Sequence, residues 1–384
     1  MLSDYPAESL IKESSRKATP AFWFSEKRIK SNYHRFLKGV PGLKIFYPPK
    51  VNANADILKL LSKEGSNFDA ASLGEIRLLS HLKISPDRII FTTPIKPINE
   101  IHAAYKKGVR VFVADSLMEI DKIAKAAPGS KVLVRLQTSN KGSQWPLSRR
   151  FGVPTKQAAQ LLQHISDWKL VPYGLCFHVG SQCTNVQNWR DAIRHCFKVM
   201  KEFEKKGGVE LQVLDLGGGF PVCYTKPVPS LENIFDVIKH EVARLGGQRK
   251  LELWAEPGRA IVADAGFAVS TIIGRTRRGR DNWLFCDLGA FNGLLELVEP
   301  SSKGFHYEIY APNPKNGKNG NNSSQKRQFI LTGPSCDGDD IIEEHIDLPN
   351  IGVGDRIFFL KTGSYSFAYS SNFCGNIQPR VYMV

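Results

Sequence analysis

The sequence is poor in the features that mark secreted, membrane-spanning and zinc-binding proteins. It has only 7 cysteines in 384 residues, spread from Cys176 to Cys374 without a Cys-x-x-Cys pair. An odd set at that spacing forms neither a disulfide framework nor a four-cysteine zinc site. No stretch approaches the roughly 20 apolar residues that span a bilayer, and the first residues lack the apolar core of a signal peptide. We therefore expect a cytoplasmic protein without a membrane segment or a metal site.

Acidic residues are also in short supply, because 37 Asp and Glu stand against 52 Lys and Arg, which gives a net charge of +15. Such a balance favours anionic partners such as nucleic acid. The excess is diffuse, however. Its densest run, RTRRGR at residues 275–280, has no interleaved aromatic residues and is followed by no nucleic-acid-binding motif. We expect a solvated basic loop there and no nucleic-acid partner.

The length suggests two domains, and the 42% of hydrophobic residues can fill a sizeable core. Between residues 44 and 257, short β-branched or aromatic runs alternate with stretches of helical apolar spacing, which is typical of βα units with parallel strands. The predicted strands cover 44–50, 68–72, 88–93, 109–116, 131–136, 172–179, 211–218 and 250–257. Eight such units predict an α/β fold, a (β/α)8 barrel of the TIM type.

After Ala260 the pattern changes to strands separated by turns, with hardly a helix between them. These predicted strands cover 267–276, 282–289, 305–312, 328–333 and 355–360. They predict a mostly antiparallel C-terminal β domain. Within it, residues 313–327 are too polar and too rich in Gly and Asn to pack, so we expect a surface loop.

Active sites of such barrels lie at the carboxyl ends of the strands. The residues at those ends are Lys50, Asp69, Arg135, His178, the glycines 217–219 and the segment 256–259. This set suits pyridoxal 5'-phosphate (PLP). A lysine bonds the aldehyde, glycine amides bind the phosphate, an imidazole lies on one ring face, and an acid faces the pyridine nitrogen.

Each of these residues also has a structural interpretation. Lys50 alone is typical of a surface lysine. The glycines are also typical of a tight turn, and His178 is typical of a hydrogen-bonded core histidine. In the structural interpretation, Glu256 forms an ion pair with Arg259. The convergence of all of them on one predicted rim favours the cofactor site.

Several blocks of the sequence, in order, resemble the fold-type III PLP-dependent decarboxylases, most closely the ornithine decarboxylase group in its short bacterial form. The blocks are FDAAS, QWPLSRRFGV, FHVGSQ, LDLGGGFP, AEPGR, GAFNGLLE, GPSCDGDD and GSYSFAYSSNF. The resemblance covers residues 18–384. It implies a barrel like that of alanine racemase at 35–262, and a β domain built from 263–384 and the N-terminal segment 1–34. It also implies a homodimer with active sites shared across the interface.

The resemblance also implies a role for each matching residue. Lys50 matches the lysine that carries PLP, Asp69 its carboxylate partner, and Arg135 a residue that supports the ring region. His178 matches the imidazole stacked on the cofactor, and Glu256 the acid that keeps the pyridine nitrogen protonated. The implied phosphate-binding residues are Ser181, Gly218, Gly219, Arg259 and Tyr365. Cys336 matches the cysteine that returns a proton to carbon, and Asp337 the aspartate that binds the distal amine of the substrate. Glu296 and Phe373 complete the predicted substrate-binding set.

Three departures from the family pattern affect these expectations. Pro48 and Pro49 precede the lysine where the family usually has Ala-Val, so that strand end has a different shape. Cys374 stands where the family usually has asparagine. The acid that many members place on a short turn before the polar loop has no clear equivalent, with Glu296 and Glu299 as candidates.

We therefore expect PLP-dependent decarboxylation of L-ornithine to putrescine, or of L-lysine to cadaverine. One alternative keeps the fold and changes the substrate to diaminopimelate, arginine or a carboxylated intermediate of siderophore or polyamine synthesis. Another is a non-catalytic regulator with the same fold. A racemase is disfavoured, because such enzymes usually place arginine, not an acid such as Glu256, at the pyridine nitrogen.

Overall fold

The computed structural model describes residues 8–299, 303–313 and 326–384, and the chain forms two compact units. The barrel unit comprises Lys30–Pro221 and Val228–Ala260. The sheet unit comprises Met1–Ile29, Val222–Pro227 and Ile261–Val384. The predicted surface loop at 313–327 lies almost entirely outside the described residues. Within the described ranges, the helices lack the combination of length and apolar character that crossing a bilayer requires.

The strands are β1 (Ala21–Phe24), β2 (Lys44–Tyr47), β3 (Asn67–Ala70), β4 (Ile89–Phe91), β5 (Val111–Ala114), β6 (Lys131–Leu136), β7 (Ser143–Trp145), β8 (Val171–Phe177), β9 (Ser181–Cys183), β10 (Val213–Asp215), β11 (Glu252–Ala255), β12 (Gly266–Arg278), β13 (Asp281–Cys286), β14 (Glu308–Tyr310), β15 (Arg327–Thr332), β16 (Ile341–Leu348), β17 (Arg356–Leu360) and β18 (Arg380–Met383). The helices are α1 (Glu8–Ser14), α2 (Glu26–Gly39), α3 (Ala55–Lys63), α4 (Leu73–His81), α5 (Ile98–Lys106), α6 (Leu117–Ala126), α7 (Thr155–Asp167), α8 (Gln187–Lys205), α9 (Leu231–Gly246) and α10 (Arg259–Val262).

The barrel unit is a closed barrel of parallel strands in the order β10-β11-β2-β3-β4-β5-β6-β8. This confirms the predicted (β/α)8 architecture. Apolar side chains from strands around the barrel form one buried cluster that includes Phe46, Leu133 and Trp254. The interior of the barrel is therefore filled by side chains, and we expect the active site at the ends of the strands.

Serine caps start the helices that follow β3 and β5. The Ser72 hydroxyl accepts a hydrogen bond from the Glu75 N–H at 3.2 Å, and Ser116 accepts one from Glu119 at 3.4 Å. Glu75 reaches back in turn to accept the Ala71 N–H at 2.6 Å. Because these bonds satisfy donors that a helix start leaves open, they fix where each strand ends and each helix begins.

The sheet unit confirms the predicted mostly antiparallel domain. Its strands follow the order β14-β17-β12-β13-β15-β16, with β1 paired to β12 and to β18. The β13–β15 and β1–β18 pairs are parallel and the others antiparallel. A buried cluster that includes Trp23, Phe267 and Phe358 packs on one face.

Several predicted boundaries are wrong. The strand predicted at 44–50 ends at Tyr47, because Pro48 and Pro49 cannot donate backbone hydrogen bonds, and a 3-10 turn covers Pro49–Val51 instead. The strand predicted at 211–218 is only Val213–Asp215, so the glycines lie in the loop after it. The other predicted strands, except 131–136, also differ from the observed ones at their ends.

The basic run at 275–280 is not the expected loop. Strand β12 continues to Arg278, so that Arg275, Arg277 and Arg278 lie on the strand with exposed side chains. Arg275 lies over the Phe329 ring at 5.4 Å. Its stem covers apolar surface while the charge stays in water, which long basic side chains do readily.

Candidate active site

Lys50 lies on the 3-10 turn Pro49–Val51, immediately after β2. Its Nζ donates to Asp69 Oδ2 at 2.6 Å, and its side chain is 42% exposed whereas that of Asp69 is 0% exposed. The Thr92 hydroxyl donates to the other oxygen of Asp69. The buried carboxylate therefore has a partner on each side and holds the ammonium group at the open rim of the barrel.

His178 follows β8 at the same rim. Its Nδ1 accepts a hydrogen bond from the Gly180 N–H at 3.0 Å, so the proton of the ring is on Nε2. Burial lowers the pKa of His178 well below its usual value, and the nearby cations of Arg135 and Lys50 lower it further. The ring is therefore neutral and fixed in orientation.

Glu256 follows β11 and faces a second acid, Asp215, at the end of β10. The two carboxyls interact directly, and burial raises the pKa of both. The pKa of Asp215 rises to about 6, whereas that of Glu256 lies well above its usual value because Asp215 and Asp69 add their negative charges. Asp215 Oδ1 accepts the Gly217 N–H at 2.9 Å, whereas its Oδ2 is buried and no described residue lies at hydrogen-bonding geometry to it.

The glycine loop, residues 217–219, is bare for steric reasons. A Cβ on Gly218 would lie 2.7 Å from the Glu256 carbonyl oxygen and 3.0 Å from His178 Nε2. Gly217 and Gly219 have φ of +62° and +96°, which L side chains rarely adopt. The loop therefore places backbone without side chains between His178 and Glu256, which allows an anion to approach backbone N–H groups closely.

Arg259 and Ser181 add polar donors beside this loop. The Arg259 Nε and Nη2 atoms lie 3.3 and 3.2 Å from the Ser181 hydroxyl oxygen. The guanidinium also lies 4.6 Å from the centroid of the Trp145 ring. Ser181 and Trp145 pair across the short β7–β9 sheet. The cation is thus held on a rigid base, which suits recognition of a phosphate.

Arg135 lies on β6, in register with Cys176 of β8. Its guanidinium is 5.3 Å from the Phe151 ring centroid. The charge acts on both His178 and Asp215, lowering the pKa of each, so Arg135 belongs to the same charged group of side chains.

These residues fit pyridoxal phosphate. The backbone at Gly218 has no room for a Cβ, and among the described residues one buried oxygen of the acid pair has no hydrogen-bond partner. Lys50 is positioned to hold the aldehyde end, and Ser181, Arg259 and the glycine loop to hold the phosphate.

Five of the predicted residues lie in the sheet unit. Tyr365 has a φ of +52°, a conformation rare for a large side chain, and its ring lies 6.0 Å from that of Tyr369. Cys336 and Asp337 are exposed on the loop between β15 and β16.

The remaining two have different surroundings. Glu296 is only 2% exposed and lies on the 3-10 turn Leu295–Leu297. The family pattern predicts an acid on a short turn of this kind. Phe373 is 43% exposed, with its ring 4.9 Å from that of Phe291.

Two residues of the barrel rim escaped the sequence analysis. Asp215 follows two apolar residues and directly precedes Leu216 and the glycine loop, so its charge inside a buried strand was a usable signal. Thr92 carries no such signal, because threonine is ordinary in strands. Its contact with Asp69 depends on the register of β3 and β4.

Comparison with known proteins agrees with this geometry. A family model described as "Pyridoxal-dependent decarboxylase, pyridoxal binding domain" matches residues 26–263. The chain is 33% identical to lysine/ornithine decarboxylase of Selenomonas ruminantium, over 97% of this chain and 91% of that protein. It is 32% identical to antizyme inhibitor 2 of Xenopus laevis, over 91% of this chain and 77% of that protein.

A solved structure of a lysine/ornithine decarboxylase from Vibrio vulnificus, complexed with putrescine, superposes with a TM-score of 0.88. That pair is 29% identical and the match covers 98% of this chain and 97% of the other. The family model spans more than half of the sequence, and the resemblance drawn from the sequence blocks is confirmed. The chain belongs to the pyridoxal-dependent decarboxylase family, and its cofactor is pyridoxal phosphate.

Proposed function

We propose that this protein decarboxylates a basic L-amino acid, with L-ornithine giving putrescine as the leading reaction and L-lysine giving cadaverine as the second. The observation that carries the proposal is the group formed by Lys50, His178, Glu256 and the glycine loop at one rim of the barrel. The names of the similar proteins, lysine/ornithine decarboxylases, support the substrate class.

The proposed roles follow from the contacts. When bound, pyridoxal phosphate would supply an aldehyde for the substrate amine and an electron sink for the carbon that loses CO2. Lys50 holds the aldehyde end, and Asp69 keeps the Lys50 ammonium in place at 2.6 Å. His178 supports one ring face with a neutral imidazole. Glu256 holds a proton at the pyridine nitrogen, and the Asp215 carboxyl behind it strengthens that hold by raising the proton affinity of Glu256.

We propose that Cys336 and Asp337 of one subunit serve the site of its partner in a homodimer. The Cys336 thiol would return the proton to carbon, and Asp337 would accept a hydrogen bond from the distal ammonium of the substrate. Local acids are needed, because a chain of net charge +15 repels a cationic substrate at long range. We also propose a cytoplasmic location, which agrees with seven free cysteines.

A panel of amino acids tests the reaction. Purified holoenzyme is incubated with ornithine, lysine, arginine and diaminopimelate, and CO2 and the amine product are quantified, with Lys50→Ala as the inactive control. We expect most product from ornithine or lysine and almost none from the control. Release only from diaminopimelate, whose distal end carries a carboxylate as well as an amine, would reject the proposed substrate class.

The Asp337→Ala variant tests the proposed contact with the distal amine. A charge-assisted hydrogen bond is worth about 1.5 to 3 kcal/mol, so kcat/KM for ornithine should fall about tenfold to hundredfold. Asp339→Ala is the matched control, because this exposed aspartate lies on the same loop and its N–H donates to Asp337 at 2.9 Å. Equal effects of the two substitutions would contradict the role of Asp337.

The likeness to antizyme inhibitor 2 keeps a second candidate, a non-catalytic protein of the same fold. The retention of Lys50, Cys336 and the glycine loop disfavours it. The same panel separates the two, because a non-catalytic protein releases neither CO2 nor amine from any of the four substrates.

A further inference from the structure

We propose that Cys336 and Cys374 form a reversible disulfide that removes the proton-donating thiol and so switches decarboxylation off. Their Sγ atoms lie 3.5 Å apart, and both side chains are exposed. The existence of this modification site depends only on the cysteine pair. Its effect on activity rests on the proposed function, in which Cys336 is the proton donor.

The geometry needs little movement. A disulfide bond is about 2.05 Å long, so the two sulfurs must approach by about 1.5 Å, which side-chain rotation and small loop shifts supply. Cys336 lies between β15, which ends at Thr332, and β16, which begins at Ile341. Cys374 lies on the 3-10 turn Phe373–Gly375. Neither cysteine belongs to a strand of the sheet, so the approach breaks no strand pairing.

The backbone at Cys374 is a second, independent observation. Its φ of +56° and ψ of 18° are left-handed, a conformation that is sterically unfavourable for an ordinary L-residue. Glycine and asparagine suit it best, and asparagine is the residue expected here from the family pattern. A cysteine that takes this unfavourable conformation, with its sulfur beside that of Cys336, points to a use for the thiol.

The other cysteines do not compete for this bond. Cys176, Cys183, Cys196 and Cys286 are buried. Cys223 is exposed, but its Sγ faces the Lys226 carbonyl oxygen at 3.4 Å. It therefore provides a control for ordinary surface oxidation.

The chemistry balances with a low-molecular-weight disulfide as the oxidant. One cysteine thiolate attacks the oxidant and forms a mixed disulfide, releasing the first small thiol. The second cysteine then attacks that bond and releases the second small thiol. Two cysteine protons pass to the two departing thiols, and the two protein sulfurs are oxidised. The hydrogen bond with Cys374 raises the pKa of Cys336, so the thiol stays protonated and available as an acid until it is oxidised.

Peptide mapping of the oxidised holoenzyme tests the site. Wild type is treated with oxidised glutathione, digested and analysed by mass spectrometry, and its decarboxylase activity is measured before treatment, after treatment and after dithiothreitol. We expect a cross-linked peptide that joins residues 336 and 374, with activity reduced about a hundredfold, the scale of a lost general acid, and restored by dithiothreitol. Cys223→Ser should behave as wild type. Cys374→Asn should give no cross-link and instead carry glutathione on Cys336.

Two results would overturn the switch. One is the absence of the cross-link in wild type at a glutathione concentration that modifies Cys223. The other is a cross-link that leaves activity unchanged. A reduced protein that is inactive on every amino acid tested, yet forms the cross-link, would reject the proposed function while confirming the modification site.

Discussion

At the scale of single residues, proton positions in the rim depend on two acids that face each other. Asp215 is fully buried and Glu256 is partly buried. Burial raises the pKa of both, and the Asp215 carboxyl raises the pKa of Glu256 further, whereas the hydrogen bond with Glu256 lowers that of Asp215. Such a pair shares one proton until the pH rises well above the usual range of a carboxyl group. In the proposed mechanism Glu256 is the functional acid, and Asp215 supports it without touching the substrate.

The Glu256→Gln variant should lower kcat far more than cofactor affinity. An amide cannot stabilise the positive pyridine nitrogen, and that charge matters most as CO2 departs, so we expect kcat to fall about a hundredfold to a thousandfold. Glu252→Gln on the same strand is the control, since Glu252 pairs with Lys44 at 2.8 Å on a half-exposed surface. Steady-state kinetics and a PLP titration measure the two quantities. A raised KM with unchanged kcat would contradict the assignment.

The Asp215→Asn variant should change how the stability of cofactor-free protein depends on pH. Between the usual pKa of 3.8 and the raised value of about 6, the folded protein binds more protons at Asp215 than the unfolded chain does, so wild-type stability falls as pH rises. The amide cannot ionise, and its oxygen can still accept the Gly217 N–H. We expect the variant to gain about 2.4 kcal/mol relative to wild type between pH 4 and pH 7.

Urea unfolding of both proteins across that pH interval measures the difference. Asp339→Asn on an exposed loop serves as the control and should follow wild type. Parallel curves for wild type and Asp215→Asn would show that Asp215 has no raised pKa.

The sequence predicts the position of a rim residue where a polar or charged residue type stands at the end of an apolar stretch. Lys50, His178 and Glu256 were found in this way, and the structure brings them to one rim. Thr92 escaped, because its contact with Asp69 is created by strand register and not by residue type. The roles proposed for these side chains stay predictions until variants are measured.

At the scale of elements, the glycine loop after β10 joins a barrel strand to the predicted cofactor site. It is short and tightly placed, and Gly218 lies against both the Glu256 carbonyl and the His178 ring. A side chain there must displace either backbone or imidazole. A side chain at Gly218 would therefore disturb both the proposed phosphate site and the proposed support of the cofactor ring by His178.

The Gly218→Ala variant should weaken PLP binding. Its Cβ would lie 2.7 Å from a backbone oxygen, and overpacking of this kind costs about 1 to 3 kcal/mol, which corresponds to about tenfold to hundredfold in Kd. Gly74→Ala is the matched control, because a Cβ there meets only the Ser72 hydroxyl at 3.4 Å near the start of α4. Titration of cofactor-free protein with PLP, followed by absorbance, measures both. Equal affinities for the two variants would contradict the steric argument.

Element type was more predictable than element boundaries. The barrel strands are near-continuous apolar runs buried on both faces, which makes them visible in the sequence. Strand β16, with the sequence IIEEHIDL, escaped because its central residues are charged and exposed. The predicted strand β2 is longer than the observed one, because the apolar Pro48 and Pro49 extend the apolar stretch of sequence but cannot extend the strand.

At the scale of the whole molecule, the proposed residues fall into two sets. Lys50 and the rest of the rim belong to the barrel unit, whereas Cys336 and Asp337 belong to the sheet unit. The resemblance to ornithine decarboxylases implies that each set works with the complementary set of a second subunit. A homodimer with two shared sites would then be obligatory for activity, and a monomer would hold the cofactor without completing the reaction.

Mixing two inactive variants tests this arrangement. Lys50→Ala lacks the cofactor lysine and Cys336→Ala lacks the proton donor, so each alone should be inactive. If the subunits exchange at random, half of the dimers pair the two variants, and each of these dimers has one site with both residues intact. Activity should therefore recover to about a quarter of wild type.

Native mass spectrometry verifies that subunit exchange has occurred. A mixture of Lys50→Ala with a Lys50→Ala, Cys336→Ala double variant is the control and should stay inactive. Verified mixed dimers without activity would mean that each site is built within one chain.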